Sequence, residues 1–245
     1  MERQSSYLAA APDGGLYWGP LTPGLLVRRY KRFLAEVELA DGRLVTAHTA
    51  NTGRMTGCAE PGRPVWLSHH PRPGRRLPFT WEMISMPTAL VGINTQVPNR
   101  LAAQAARAGR LTEMGGPAAV ETEVRCGASR LDLRLTDPQG RTVLVEVKNA
   151  TLAEGGTAYF PDAVTARGAR HLDELAAQAR TGLRAALLIV VQRGDAERFR
   201  PADHIDPEWG RHLRAALDQG VEVWVYRAEL TLTTVTLGPR LPLIL

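Results

Sequence analysis

Lys148 is one of only two lysines in a chain whose 30 basic residues are otherwise arginines. Arginine stays charged in any surroundings, whereas lysine is a compact point charge whose pKa moves readily in a partly buried site. Lys148 closes the run Val145-Glu146-Val147-Lys148-Asn149, and strand alternation puts Glu146 and Lys148 on one face. Just upstream, Asp137-Pro138-Gln139-Gly140 has the chemistry of a type I turn followed by a left-handed glycine. A three-residue loop of that kind sets Asp137 opposite Arg141 and, counting back, Asp132 opposite Glu146. Leu131, Leu133 and Leu135 then pair with Val147, Val145 and Val143. One face is apolar, and the other carries Asp132, Glu146 and Lys148. A two-residue loop would instead place Asp132 opposite Val145. Opposed Cβ atoms lie roughly 5 Å apart, so the two carboxylates repel unless a cation sits between them. A hard divalent ion, Mg²⁺ or Mn²⁺, suits such oxygen ligands. Lys148 would then orient a bound water or stabilise developing negative charge. The bland alternative is a surface ion pair between Glu146 and Lys148, worth little.

The elements that must position these residues follow from pattern. Residues 1–20, rich in Ala, Gly and Pro, read as a loosely held N-terminal segment. Short β-like runs follow at Leu25–Val37, Arg43–His48, Pro64–Ser68, Phe79–Ile84 and Ala89–Asn94, separated by turn signals such as Asp41-Gly42 and Pro61-Gly62. Five short strands predict a small OB-like barrel over residues 21–96. From residue 97 to 245 the pattern becomes mixed α/β. Asn99 is a candidate cap for a helix over Leu101–Ala108, with Gly109 as its stop. Strands follow at Ala119–Cys126, Arg130–Thr136 and Thr142–Lys148, then a helix over Ala166–Ala179. Ala185–Gln192 reads as a central strand covered on both faces. Asp206-Pro207 opens another helix, closed by Gly220, and Val221–Tyr226 is a further strand. The fold class is therefore a mixed sheet with flanking helices beside a barrel. On the Ala166–Ala179 helix, Arg167, His171, Glu174 and Gln178 form a polar stripe that can border the carboxylates. There His171 is a candidate proton donor or phosphate ligand.

Bulk properties narrow the function classes. A net charge of +5 and a pI near 9.7 lean toward a polyanionic partner. No run approaches 18 uncharged apolar residues and no apolar stretch follows Met1-Glu2-Arg3-Gln4, so neither a membrane span nor a signal peptide is expected. Cys58 and Cys126 read as reduced thiols of a cytoplasmic protein. The spacing of Cys58, His69 and His70 is poor for zinc. P-loop, G-x-S-x-G, H-E-x-x-H and dinucleotide glycine patterns are missing.

The chain resembles the sugar fermentation stimulation protein A family from about Leu25 to Tyr226. The resemblance rests on Arg28-Arg29-Tyr30-Lys31-Arg32-Phe33-Leu34, His48-Thr49-Ala50-Asn51-Thr52-Gly53-Arg54-Met55 and Thr80-Trp81-Glu82. It continues through Val91-Gly92-Ile93-Asn94-Thr95, Pro98-Asn99-Arg100-Leu101 and Ser129-Arg130-Leu131-Asp132. The last stretches are Val145-Glu146-Val147-Lys148-Asn149-Ala150-Thr151-Leu152 and Phe160-Pro161-Asp162-Ala163-Val164-Thr165. It implies an N-terminal OB-like domain, a C-terminal PD-(D/E)xK nuclease-like domain, DNA binding and a role in regulating sugar metabolism genes. By similarity Asp132, Glu146 and Lys148 fall on the nuclease signature. The helix near Leu101–Ala108 carries no carboxylate, a departure from many such nucleases, and Glu113 or Glu123 is a candidate substitute.

Arg28, Arg29, Lys31 and Arg32 place four cations in five positions, and Arg63, Arg72, Arg75 and Arg76 add a second basic stretch near His69 and His70. Each phosphate so neutralised releases counterions. Tyr30, Phe33, Trp66, Phe79 and Trp81 are candidate stacking platforms for unpaired bases, although most read as barrel core. Asn51 and Arg54 lie in a glycine-containing loop suited to binding, and Arg130, Asn149 and Arg167 are placed to approach phosphates. Two readings compete: a Mg²⁺-dependent nuclease acting on DNA, and a non-cleaving DNA-binding transcriptional regulator of sugar metabolism.

Overall fold

The computed structural model describes residues 8–71, 73–126 and 129–245. The start of the N-terminal segment and Arg72 lie outside the described residues, as do the side chains of Cys126 and Ser129. The elements run β1 (Leu8–Ala10), β2 (Leu16–Trp18), β3 (Leu21–Tyr30), β4 (Leu34–Leu39), β5 (Leu44–His48), β6 (Pro64–His69), β7 (Phe79–Ser85), β8 (Leu90–Gly92), α1 (Val97–Arg107), β9 (Ala119–Cys126), β10 (Ser129–Thr136), β11 (Thr142–Ala150), β12 (Leu152–Glu154), β13 (Thr157–Phe160), α2 (Ala166–Arg180), β14 (Arg184–Val191), β15 (Arg198–Pro201), α3 (Pro207–Asp218), β16 (Glu222–Leu230) and β17 (Thr234–Arg240).

Strands β3 to β7 close on themselves. β3 pairs with β4 and β6, β4 with β5, and β6 with β7, all antiparallel, while a short parallel β5–β7 pairing completes the ring. This five-stranded barrel matches the OB-type expectation. Leu26, Val37, Ala47, Val65, Leu67, Trp81 and Ile84 fill it. Trp81 is a core residue, its indole N–H donating to the Met83 carbonyl at 2.9 Å, and not a surface platform. Cys58 is buried in the same core, and burial pushes its thiol up to about 11. The run Leu25–Val37 is two strands. Lys31 and Arg32 adopt left-handed φ values of 47° and 63° and turn the chain between β3 and β4. The basic cluster therefore does not alternate along one strand.

The larger sheet has the order β1-β2-β17-β16-β14-β11-β10-β9. β11, β14 and β16 are mutually parallel, while β9 and β10 add antiparallel strands beyond β11. β14 shows why the sheet needs cover on both faces. Ala186, Leu188 and Val190 enter one core together with α1, whereas Ala185, Leu187, Ile189 and Val191 enter a second core beneath α2 and α3. Each of the Leu, Ile and Val side chains stabilises the fold by about 1.5–3 kcal/mol relative to exposure, and the alanines by less. The N-terminal stretch, expected to be loose, supplies β1 and β2 to this sheet. Leu8, Leu16 and Trp18 are buried in the α1-side core, and β2 pairs with β17. Their apolar burial outweighs the flexible composition around them.

Helix caps explain where α2 and α3 begin. The Thr165 hydroxyl accepts from the Gly168 amide at 3.0 Å, and Asp206 Oδ1 accepts from the Trp209 amide at 3.0 Å. Asp206 Oδ2 also accepts from the Thr165 amide at 2.8 Å, tying the two helix starts together. α1 starts earlier than expected. Gln96 precedes it without a side-chain cap, with Pro98 in its first turn. Asn99 is therefore inside the helix, not its cap.

Candidate active site

The β10–β11 hairpin sets the geometry. The Asp137 amide donates to the Arg141 carbonyl at 2.9 Å, and Gly140 takes φ 79°. The ladder pairs Thr136 with Thr142, Leu135 with Val143 and Leu133 with Val145, the register of a three-residue loop. Its next step brings Asp132 beside Glu146, where the ladder parts. Asp132 Oδ2 accepts from the Val147 amide at 2.7 Å, and Asp132 Oδ1 accepts from Asn99 Nδ2 at 2.5 Å. Asn99 reaches across from α1, so the side chain read as a cap instead orients the aspartate. The face bearing Glu146 is not wholly polar. Leu131 and Leu144 are also buried against the α2–α3 core, and Leu131 does not join Leu133 and Leu135.

Glu146 is only 2% exposed. Its Oε1 meets both Lys148 Nζ and His171 Nδ1, and Lys148 Nζ lies 3.2 Å from His171 Nδ1. Glu146 Oε2 is buried and, among the described residues, has no hydrogen-bond partner. Burial and the neighbouring Glu146 carboxylate push Asp132 up to about 6. Burial would raise Glu146 as well, but the His171 hydrogen bond and the Lys148 charge outweigh it and hold Glu146 low. One carboxylate is thus ionised and the other resists ionisation beside it, the condition a divalent cation relieves. Among the described residues no group of three or more His, Cys, Asp and Glu side chains gathers as a metal cage. Asp132 and Glu146 are two oxygen donors, and water would fill the remaining positions of a hard ion.

These residues line a cleft of about 1010 Å³ between the barrel and the larger sheet. Asp132, Glu146, Lys148, Asn149, Arg167 and His171 come from one side, and Arg29, Arg32, Asn51 and Arg54 from the other. Arg167 Nε donates to His171 Nε2 at 3.3 Å. Asn149 Oδ1 accepts from Gln192 Nε2 at 2.9 Å, which leaves the Asn149 amino group to the cleft. Asn51 Oδ1 accepts from the Gly53 amide at 2.9 Å, so this side chain shapes its own loop.

Other sequence candidates lie elsewhere. Arg28 pairs with Glu36 at 2.8 Å and stands over the Tyr30 ring. Lys31 is exposed in the β3–β4 turn. Glu123 lies across from Asp132 between the pairs Leu131–Val124 and Leu133–Thr122, but its left-handed backbone (φ 57°) turns it out to exposed Arg130, at 3.3 Å. Glu174 sits about one turn along α2 from His171, off the cleft lining. Glu113 accepts from the Tyr226 hydroxyl at 2.8 Å and pairs with Arg240 at 3.1 Å, also away from the cleft. Sequence reading missed Asn99 and Asp162 as site residues. The only signal for either was its place in a family motif, Pro98-Asn99-Arg100-Leu101 or Phe160-Pro161-Asp162.

Comparison with known proteins identifies the family. The family model described as the sugar fermentation stimulation protein RE domain matches residues 96–234, and that of the SfsA N-terminal OB domain matches residues 27–93. The sugar fermentation stimulation protein homolog of Pelobacter propionicus is 52% identical over 227 residues, covering 92% of this chain and 98% of the relative. That of Rhodospirillum centenum is 51% identical over 214 residues, covering 86% and 92%. Among solved structures, Pyrococcus furiosus SfsA in complex with Ca²⁺ is similar with a TM-score of 0.85 at 28% identity, covering 94% of this chain and 98% of that one. With both domain matches and relatives at half identity across nearly its whole length, the chain belongs to the sugar fermentation stimulation protein family.

Proposed function

We propose that the protein binds DNA in the interdomain cleft and hydrolyses phosphodiester bonds there with a divalent metal, as a nuclease of PD-(D/E)xK type. The observation that carries the reading is the carboxylate pair. Among the described residues, Glu146 keeps a buried oxygen without a partner, while Asp132 is pushed up beside it. Asp132 and Glu146 would hold the ion, and the similar Pyrococcus furiosus SfsA, solved in complex with Ca²⁺, supports a hard cation as the kind of ion. When bound, the ion supplies charge neutralisation and acidifies a water.

The chain's own residues do the rest. Asn99 and the Val147 amide fix the Asp132 rotamer. Glu146 and His171 hold Lys148 so that its ammonium faces the cleft and stabilises charge developing on phosphate oxygens. The Asn149 amino group, oriented by Gln192, donates to a phosphate oxygen. His171, braced by Arg167 at Nε2, turns its Nδ1–H to Glu146 and so helps keep that carboxylate ionised and in place.

The test is cleavage of end-labelled single- and double-stranded DNA with Mg²⁺, Mn²⁺ or EDTA, with wild type and Lys148→Ala side by side and binding measured on the same samples. Metal-dependent cleavage that falls at least ~100-fold in Lys148→Ala with binding retained is the expected result. Binding without cleavage under every metal favours the second reading, a DNA-binding regulator. One observation supports that reading: α1 presents Asn99, not a carboxylate, to Asp132.

A further inference from the structure

Arg29 behaves unlike a phosphate ligand. Its guanidinium donates to four backbone carbonyls, those of Arg32 at 2.7 Å, Gly53 at 2.9 Å, Asn51 at 3.1 Å and Arg54 at 3.4 Å. Three of them belong to the loop between β5 and β6, and the fourth to the β3–β4 turn. A guanidinium fork can serve several acceptors in one plane, and an ammonium cannot reproduce that geometry. Burial lowers the Arg29 pKa, and the Asp162 carboxylate opposes that shift.

Asp162 holds the same loop from the other domain. It lies between β13 and α2, and its Oδ2 accepts from the Met55 amide at 2.9 Å. The approach is close: a Cβ added at Gly53 would stand 2.4 Å from both Asp162 carboxylate oxygens, so only glycine leaves room for that contact. The Asn51 side chain closes the loop on itself through the Gly53 amide. The loop is thus held from below by Arg29, from within by Asn51, and from across the cleft by Asp162.

The latch carries two cations. Arg32 and Arg54 both line the cleft and are exposed, and among the described residues neither guanidinium has an ion-pair partner. They face the side that bears Asp132, Glu146 and Lys148.

We propose that Arg29 and Asp162 are positioning residues, a two-sided latch on the loop of residues 51–55 that sets Arg54 and Arg32 over the carboxylate site, so that a nucleic-acid backbone is gripped between the two domains and not by the barrel alone. The proposal rests on the phosphodiester reading above and adds to it which groups hold the strand.

The test measures oligonucleotide affinity against NaCl concentration in EDTA, where nothing is cleaved. Each lost phosphate contact makes the slope of log K against log salt shallower by about 0.7–0.9, and weakens binding roughly five- to eightfold at 0.1 M salt. Arg54→Gln and Arg32→Gln should each lose one contact. Asp162→Ala is the decisive variant because it removes a negative charge beside the cleft. Charge alone predicts tighter binding, whereas the latch predicts weaker binding and a slope shallower by one to two contacts. Arg29→Lys, which keeps the net charge, should shift the slope the same way. Asp162→Asn, which retains an acceptor oxygen for Met55, should restore most of the affinity. Thermal unfolding of each variant separates a loosened loop from an unfolded chain. Tighter or unchanged binding by folded Asp162→Ala overturns the latch, as does an unaltered slope in Arg32→Gln and Arg54→Gln. Wild type that binds no oligonucleotide overturns the DNA reading itself and the latch with it.

Discussion

Glu82 offers a direct check of the barrel's electrostatics. It lies on β7 with no exposure, and its carboxylate accepts from Ser68 Oγ at 2.6 Å and from Asn94 Nδ2 at 2.8 Å. Both donors favour the ionised form, as do the more distant charges of Arg75 and Arg100, yet burial outweighs them and pushes the group up to about 7. The folded state therefore binds a proton that the unfolded chain, at the ordinary value of 4.5, has released. Stability from this group is fully present below pH 4.5 and is lost as pH rises toward 7. At about 1.4 kcal/mol per pH unit, the gap amounts to about 3 kcal/mol, most of it lost between pH 5 and pH 8. In Glu82→Gln the amide oxygen accepts from Asn94 and the amino group donates to a rotated Ser68 hydroxyl, imitating the neutral acid. Urea unfolding of both proteins from pH 5 to pH 8 should show the glutamine variant gaining on wild type by about 2–3 kcal/mol. Asp132 titrates in both proteins and cancels in the comparison. A difference that stays flat with pH, or wild type gaining on the variant as pH rises, would refute the reasoning: the carboxylate would then be ionised and held by its donors.

Two further outcomes follow from the geometry. Glu146→Gln should weaken Mn²⁺ binding by at least about tenfold in a calorimetric titration, since ligand charge sets affinity at oxygen sites. Asp137→Asn, whose carboxylate is committed to the hairpin turn and to Arg141, should leave that binding unchanged. Asp206→Ala removes the cap of α3 and the acceptor for the Thr165 amide at once, so urea unfolding should register a loss of about 2–3 kcal/mol. Asp206→Asn, which keeps one acceptor oxygen, should lose less.

What could be read from the sequence was decided over short distances. The β10–β11 register depends on four turn residues, and the same local chemistry starts α3 at Asp206-Pro207. β14 was legible because eight successive residues are almost all apolar, a pattern few other settings accept. The failures share a different cause. Pro98 starts α1 a turn before the apolar pattern does, which frees Asn99 for a partner 33 residues away. β2 pairs with β17 across more than two hundred residues, and no local signal announces such a pairing. The β3–β4 turn contains no Gly, Pro or Asn, so the left-handed pair Lys31 and Arg32 went unseen inside an apparent strand.

The basic cluster shows the consequence for function. Four cations within five positions suggest four phosphate contacts, yet the fold gives them four fates. Arg28 is paired with Glu36, Arg29 is spent on backbone carbonyls, Lys31 is exposed in the turn, and Arg32 alone of the four lines the cleft with a guanidinium that has neither an ion pair nor a hydrogen bond among the described residues. Counterion release counts phosphates actually neutralised, not cations present in the sequence. A pI near 9.7 is therefore a poor measure of how this chain would hold a nucleic acid. The informative charges are the few that a half-buried arginine and an aspartate from the opposite domain would keep facing the carboxylates.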